Sequence, residues 1–164
     1  MKKPILFFIA IALLGITACK RKTIETFYFS CYINGQYFEP EKQQGLGEYP
    51  ITAKLLNDDI LLDISAGKGV KSVSLGVFDT TKIREQEYFL SMNKGWYSRA
   101  LYKSSLAANH YETDSIFTGK VNIIQLDKAN MIVAGTFHFT GYNAETKDTV
   151  HITDGKFKLK YDLH

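Results

Sequence analysis

The sequence is poor in cysteine, with two among its 164 residues. Cys19 ends an export-signal pattern at the amino terminus, so Cys31 is left without an intramolecular partner and a disulfide framework is excluded. Cys31 lies in the run 27–33, on the same side as most of its apolar residues if that run is a strand. A nucleophilic cysteine needs a nearby base, and the first histidine is His110. We therefore expect Cys31 to be a buried, inert thiol.

The sequence also lacks the motifs of common catalytic sites. No glycine-rich phosphate loop, nucleophile-elbow pattern or paired-cysteine metal motif is present. Glycoside hydrolysis would need two carboxylates across a cleft, and no pair stands out among the acidic residues at turns. Those residues are Asp58, Asp59, Asp127, Glu145, Asp148 and Asp154. These absences predict a non-enzymatic protein with no catalytic residues and no cofactor.

The amino terminus has the layout of an export signal. The apolar run from Ile5 to Gly15 follows two lysines and is shorter than the roughly 20 residues that cross a bilayer. The segment Ile16-Thr17-Ala18-Cys19 resembles a bacterial lipoprotein signal. That resemblance implies a diacylglycerol on Cys19, cleavage before it and, usually, an acylated amine. We therefore expect a signal peptide over 1–18 and a lipidated tether over 19–25.

The charge of the chain is close to balanced. The formal net charge is +3, and loss of Lys2 and Lys3 with the signal leaves 18 basic residues against 17 acidic ones. Nucleic-acid binding driven by net charge is therefore not expected. Lys20-Arg21-Lys22 follow the lipid and could touch lipid headgroups at about 1 kcal/mol per charge. A solvated tether is the simpler interpretation.

Beyond the tether, short apolar or alternating runs recur between turn residues, which is typical of antiparallel β structure. Asn34-Gly35 and Asp154-Gly155 are the strongest predicted two-residue turns, because these dipeptides favour positive φ angles. The predicted strands are 26–33, 36–39, 51–56, 60–66, 71–78, 86–91, 96–102, 116–126, 131–140, 149–153 and 156–161. With little helix, such a sheet must curl or stack. We predict one antiparallel sandwich or flattened barrel of about 9–11 strands over 26–164.

The carboxyl-terminal region predicts how its last three strands pair, to within a register shift of two residues. A turn at Asp154-Gly155 pairs the two last predicted strands, and Thr140 placed opposite Thr149 adds the strand before them. Apolar side chains then face apolar ones, and His138 lies directly opposite His151.

Two candidate sites follow from these patterns. Opposed histidines at 138 and 151 could share a metal ion, but two ligands are too few for a structural zinc site, so no metal is predicted. In the stretch 95–102, Trp96 and Tyr97 could stack on a sugar ring while Arg99 binds its hydroxyls. Core packing is the competing interpretation of those aromatic residues.

Turn glycines and core aromatic residues carry a family resemblance. The segments are 119–123, 126–127, 135–139 and 149–157, with Phe29, Ile33-Asn34-Gly35 and Phe38 near the amino terminus. Together they resemble a family of small Bacteroidota lipoproteins classed as a domain of unknown function. The resemblance implies the compartment and the fold, and no site residues. Surface lipoproteins of that phylum often carry acidic residues after the lipidated cysteine. Lys20-Arg21-Lys22 stands there instead, which favours an outer-membrane protein facing the periplasm.

Two functions remain open. The favoured one is a lipid-anchored, non-enzymatic binding or structural module of the cell envelope. Its partners would be the membrane, through Cys19, and an unknown envelope protein or glycan. The alternative is a small carbohydrate-active or hydrolytic domain with an unrecognised site. A concave cleft with convergent polar groups would discriminate between them.

Overall fold

A computed structural model of the protein describes residues 26–40, 51–92, 98–105 and 109–163, in which all regular elements are strands. The predicted signal peptide and tether (1–25) lie outside these residues. No helix in the described part is long and apolar enough to cross a membrane. The strands are β1 (Tyr28–Ile33), β2 (Gln36–Phe38), β3 (Ile51–Leu56), β4 (Leu61–Lys68), β5 (Lys71–Phe78), β6 (Glu87–Leu90), β7 (Arg99–Lys103), β8 (His110–Glu112), β9 (Gly119–Asp127), β10 (Ile132–Tyr142), β11 (Thr149–Lys160) and β12 (Asp162–Leu163).

The twelve strands of the described residues form one open sheet. Its order is β12-β3-β4-β5-β7-β8-β10-β11-β1-β2, and β9 with β6 branches from β10. The pairing of β12 with β3 is parallel and the others are antiparallel, so the sheet is mixed. The predicted all-β fold, a sandwich or flattened barrel, is confirmed. The short strands β8 and β12 were not predicted.

The sheet curves around one hydrophobic core. Alternate residues of each long strand are buried, as at Leu62, Ile64 and Ala66 of β4, because successive side chains point to opposite faces. The core cluster draws on both ends of the strand order, from Leu55 of β3 to Phe29 of β1. A flat sheet could not bring these two strands to the same core, so the sheet must fold over on itself.

Strand β10 connects the two layers of this folded sheet. One of its edges pairs with β11 from Ile132 to Tyr142. The other edge pairs with β9 along most of its length and then, at Tyr142, with Glu112 of β8. Because β8 continues the sheet toward β7, β5, β4 and β3, both layers depend on the placement of β10.

The predicted hairpin at Asp154-Gly155 is wrong. Strand β11 runs unbroken through both residues, and Asp154, with φ of +51°, lies where the register with β10 shifts. A Cβ on Gly155 would lie 2.6 Å from ring atoms of Phe137. Asp154-Gly155 therefore forms a bulge that bends β11 and leaves room for an aromatic ring.

The register between β10 and β11 also differs by two residues from the prediction, because the two strands pair as far as Tyr142 and Thr149 and the loop between them is shorter than predicted. Thr140 lies opposite His151 instead of Thr149, and Phe139 lies opposite Ile152. A shift of two keeps each side chain on its predicted face. The predicted inward residues are accordingly buried: Val150, Ile152, Phe157, Leu159 and Tyr161.

Replacement of Gly155 by alanine tests the bulge. We expect Gly155→Ala to lower the free energy of unfolding by about 1–3 kcal/mol, because the new methyl group overpacks the ring of Phe137. Gly76→Ala is the matched control in another strand, since a Cβ there meets Arg99 at 3.8 Å, an ordinary contact. Urea unfolding of both variants measures the difference. Equal losses would contradict the packing role of Gly155.

Candidate functional site

A cleft of about 350 Å³ opens where the β1–β2 hairpin meets the start of β11 and strands β5, β7 and β8. Its lining combines aromatic rings with side chains that can hydrogen-bond. The lining residues are Ile33, Asn34, Gln36, Tyr37, Phe38, Lys71, Tyr102, Ser104, Tyr111, Asp148, Thr149 and Val150. This is a concave surface with convergent polar groups, as in a ligand-binding or a catalytic site, so the chemistry of its lining decides between the two.

The β1–β2 hairpin forms one wall and is fixed to β11 through its turn. Asn34 and Gly35 have φ angles of +48° and +79°, as predicted for a two-residue turn. The Asn34 N–H donates to the His151 carbonyl at 2.9 Å, and the His151 N–H donates to Asn34 Oδ1 at 2.8 Å. These reciprocal bonds hold the hairpin at the mouth of the cleft. Next to the turn, Tyr37 is 61 % exposed.

Two tyrosines from adjacent strands form the opposite wall. The rings of Tyr102 and Tyr111 lie 5.9 Å apart, and Tyr102 is buried. Gly141 of β10 lets β8 approach, because a Cβ there would lie 2.9 Å from Tyr111 Cβ. Burial raises the pKa of both phenols above their usual value, and Asp148 raises that of Tyr111 further. The two tyrosines therefore keep their protons at neutral pH and can donate hydrogen bonds.

Asp148 supplies the carboxylate of the cleft. The Tyr111 hydroxyl donates to Asp148 Oδ2 at 3.2 Å, and the Thr146 hydroxyl donates to Asp148 Oδ1. The loop that carries Asp148 is shaped by buried Asn143, whose Oδ1 accepts from the N–H groups of Glu145 and Thr146 at 2.9 and 3.2 Å. The carboxylate is therefore held in a defined position while it remains exposed to a ligand.

This arrangement suits recognition by hydrogen bonds. Asn34, Gln36 and Ser104 offer neutral donors and acceptors, while Lys71 and Asp148 add one charge of each sign. Among the residues that line the cleft, Asp148 is the sole carboxylate and no histidine occurs. The described lining thus offers polar contacts for a small ligand more readily than a nucleophile with its base.

The predicted opposition of His138 and His151 is wrong. His138 lies opposite Lys120 of β9, while His151 lies opposite Thr140, whose hydroxyl is 3.2 Å from His151 Nδ1. The difference arises at the loop end of the two strands, because β10 and β11 pair as far as Tyr142 and Thr149 and not only as far as Thr140 and Thr149. Within the described residues, no group of three His, Cys, Asp or Glu side chains could hold a metal ion.

The predicted aromatic site is only partly described. Trp96 and Tyr97 lie outside the described residues, as does Cys19. Arg99 is exposed on β7, away from the cleft lining, where its charge acts on half-buried Asp63. Burial raises the pKa of Asp63, and Lys54 and Arg99 oppose that rise. The described position of Arg99 therefore fits a surface charge network.

Cys31 is confirmed as a buried thiol. It is 1 % exposed within the core, and burial raises its pKa to about 12. A thiol with such a pKa has almost no thiolate at neutral pH, which agrees with the inert role predicted for Cys31.

Sequence reasoning missed Tyr102, Tyr111 and Asp148 as members of one site. Tyr111 lies between the predicted strands 96–102 and 116–126, where the sequence predicts no strand. The alternation of His110-Tyr111-Glu112 was its one signal, and three residues are too few for a reliable period. Asp148 is one of several acidic residues at predicted turns, and nothing in the sequence distinguishes it from the others. Only the pairing of β8 with β10 brings these side chains to the same cleft.

Comparisons with known proteins give a family and no function. Residues 49–159 match the family described as Domain of unknown function, DUF6252. No curated protein and no solved structure matches the chain. The match includes Lys71, Tyr102, Tyr111 and Asp148 of the cleft and excludes the β1–β2 hairpin.

Proposed function

We propose that this chain, which belongs to the DUF6252 family of unknown function, is a lipid-anchored envelope protein that binds a glycan without transforming it. The observation that carries this proposal is the cleft, where tyrosine rings stand beside amide, hydroxyl, ammonium and carboxylate groups. A sugar presents an apolar C–H face and several hydroxyl groups. It therefore requires such a combination of aromatic surface and paired polar contacts.

The chemistry of the lining supports binding over hydrolysis. Glycosidases use two carboxylates roughly 5–10 Å apart on either side of the bond that breaks. The lining of the described cleft has one, Asp148, and it accepts hydrogen bonds from Tyr111 and Thr146. Because each of its oxygens already accepts a hydrogen bond, the Asp148 side chain is placed as an acceptor, which suits contact with sugar hydroxyls.

The lipid anchor is supported by the two cysteines of the chain. Cys31 is enclosed in the core, so Cys19 is the thiol that remains for modification. It follows a charged, apolar and small-residue pattern of the kind that directs export. We place the protein at the outer membrane facing the periplasm, since Lys20-Arg21-Lys22 follow the lipid site.

Metabolic labelling tests the anchor. An alkyne-tagged fatty acid fed to the producing bacterium should label the protein, and Cys19→Ser should remove the label and release the protein from the membrane fraction. Cys31→Ser is the matched control and should keep the label. A label that persists in Cys19→Ser would contradict the anchor.

Ligand binding tests the cleft. The mature chain (residues 19–164, with Cys19→Ser) is screened by thermal shift against peptidoglycan fragments and envelope oligosaccharides, and hits are measured by calorimetry. We expect Gln36→Ala and Lys71→Ala each to weaken a true ligand about 10-fold, because each removes a hydrogen-bonding side chain from the cleft. Lys68→Ala, an exposed lysine outside the lining and opposite Lys71, should leave affinity unchanged.

The outcomes of this screen separate the possibilities. A ligand whose affinity is unchanged by Gln36→Ala and by Lys71→Ala binds elsewhere. That result would contradict the cleft as the binding site. A panel in which no saccharide shifts the melting temperature would contradict the glycan as ligand, since a ligand at 100 times its Kd stabilises a fold by about 2.7 kcal/mol. Cleavage of a bound saccharide would overturn the non-enzymatic assignment.

A further inference from the structure

The cleft contains a basic side chain that has no partner in the described part of the chain. Lys71, at the start of β5, is exposed and lines the cleft. The ion pairs and hydrogen bonds of the described residues include none that involves its ammonium group. The residue directly opposite it, across the β4–β5 hairpin, is Lys68. Like charges at opposed positions repel each other, so this hairpin partner does not neutralise Lys71.

Tyr102 of β7 brings a second donor to the same wall of the cleft. Its side chain is only 5 % exposed, yet it lines the cleft. No hydrogen bond of its hydroxyl group occurs among the described residues. Within that part of the chain, the enclosed side-chain atom that lacks a partner is Asn143 Nδ2. The Tyr102 hydroxyl is therefore not sealed in the core, and its O–H group is available to the space of the cleft.

The pairing of β5 with β7 places these two donors within reach of one ligand group. Tyr102 lies directly opposite Val73, and Lys71 precedes Val73 by two residues on the same strand. Because side chains alternate along a strand, Lys71 shares the inner face with buried Val73. Diagonal neighbours of this kind lie about 7–8 Å apart, a separation that long and aromatic side chains can span. A group between them can accept hydrogen bonds from both.

The two tyrosines of the cleft differ in the use of their hydroxyl protons. Tyr111 donates to Asp148 Oδ2 at 3.2 Å, whereas the described residues offer no acceptor to Tyr102. Burial raises the pKa of Tyr102, so this phenol keeps its proton at neutral pH. A donor that is nearly buried and unpaired costs free energy until an acceptor reaches it. Tyr102 therefore adds to Lys71 a second demand for an acceptor.

The carboxylate of the lining does not meet that demand. Asp148 forms no ion pair among the described residues, and its two oxygens accept hydrogen bonds from Tyr111 and Thr146. The cleft thus has two regions of different character, since Asp148 presents acceptor oxygens while Lys71 and Tyr102 present donors. A ligand that contacts both regions must offer hydroxyl groups to the first and an acceptor to the second.

We propose that the glycan bound in the cleft is acidic, and that Lys71 and Tyr102 hold its anionic substituent, a carboxylate or a phosphate. This inference rests on the proposed glycan-binding function and specifies the class of ligand. Hydrogen bonds that involve a charged partner are about twice as strong as neutral ones. A neutral sugar packed over Lys71 would remove water from the ammonium group without supplying a negative charge, which costs free energy.

Matched saccharides test the charge of the ligand. The first pair is N-acetylmuramic acid and its neutral methyl ester, and the second is N-acetylglucosamine 6-phosphate and N-acetylglucosamine. Each is titrated into the mature chain (residues 19–164, Cys19→Ser) and its Kd is measured by NMR. We expect an anionic probe to bind about 10-fold more tightly than its neutral counterpart. The pair that shows the difference identifies the substituent as a carboxylate or as a phosphate.

Variants of the two donors test which side chains hold the anion. Lys71→Gln should weaken binding of the anionic probe about 10-fold and change that of its neutral counterpart less than twofold, because only the anion interacts with the charge. Lys71→Arg should retain the preference for the anion. Tyr102→Phe keeps the buried ring and removes only the hydroxyl group, and it should weaken binding of the anionic probe about fivefold. An unchanged preference in Lys71→Gln would contradict the assignment.

Lys103→Gln is the matched control for net charge. Lys103 is an exposed lysine next to Tyr102 on β7, and it lies outside the cleft lining. Its replacement removes the same charge as Lys71→Gln and should alter the affinity for the anionic probe less than twofold. Equal losses in the two variants would overturn the inference, since net charge alone would then explain the preference.

The titrations also separate this inference from the glycan proposal on which it rests. Neutral probes that bind the cleft as tightly as their anionic counterparts would overturn the acidic ligand and leave glycan binding intact. A neutral saccharide that binds the cleft while both anionic probes fail would have the same meaning. Failure of every saccharide, anionic and neutral, would contradict both proposals.

Discussion

The pairing of β10 on both of its edges is the constraint on which the rest of the structure depends. One edge carries β11, and through it β1 and β2; the other carries β9 and then β8. The transfer at Tyr142 from β9 to β8 is what allows one sheet to fold into two layers around a single core. Without β10, the layer of β3, β4, β5 and β7 would lose its hydrogen-bonded connection to the layer that contains the β1–β2 hairpin.

The close contacts around β10 also shape the cleft. Glycines on β9, β10 and β11 allow neighbouring strands and rings to approach β10 closely. Gly141 allows Tyr111 of β8 to pack against β10, and Gly119 and Gly135 allow β9 and β10 to approach closely. On the other side, Gly155 makes room for Phe137. The loop after β10 then carries Asp148 to the hydroxyl of Tyr111. Core packing and the polar lining of the cleft are therefore consequences of one set of close contacts.

Much of the fold could be predicted from the sequence, while the site could not. Alternating runs gave most of the strands, and Asn34-Gly35 gave its turn, because both signals are local. The turn predicted at Asp154-Gly155 was wrong, because the same dipeptide can bend a strand when a ring such as that of Phe137 occupies the adjacent space. That contact is long-range, so it leaves no pattern in the local sequence. The cleft joins residues from Ile33 to Val150 through the order of the strands, which is a long-range property.

Native-state hydrogen exchange measured by NMR tests the role of β10 most directly. The account predicts that the amides of β10 that bond to β9 and β11 exchange only through global unfolding, with a protection free energy equal to that of the whole domain. The edge strands β2 and β12 should exchange faster, through local opening. Amides of β10 that exchange as fast as those of β2 would contradict the account, since the layers would then be joined by something other than this strand.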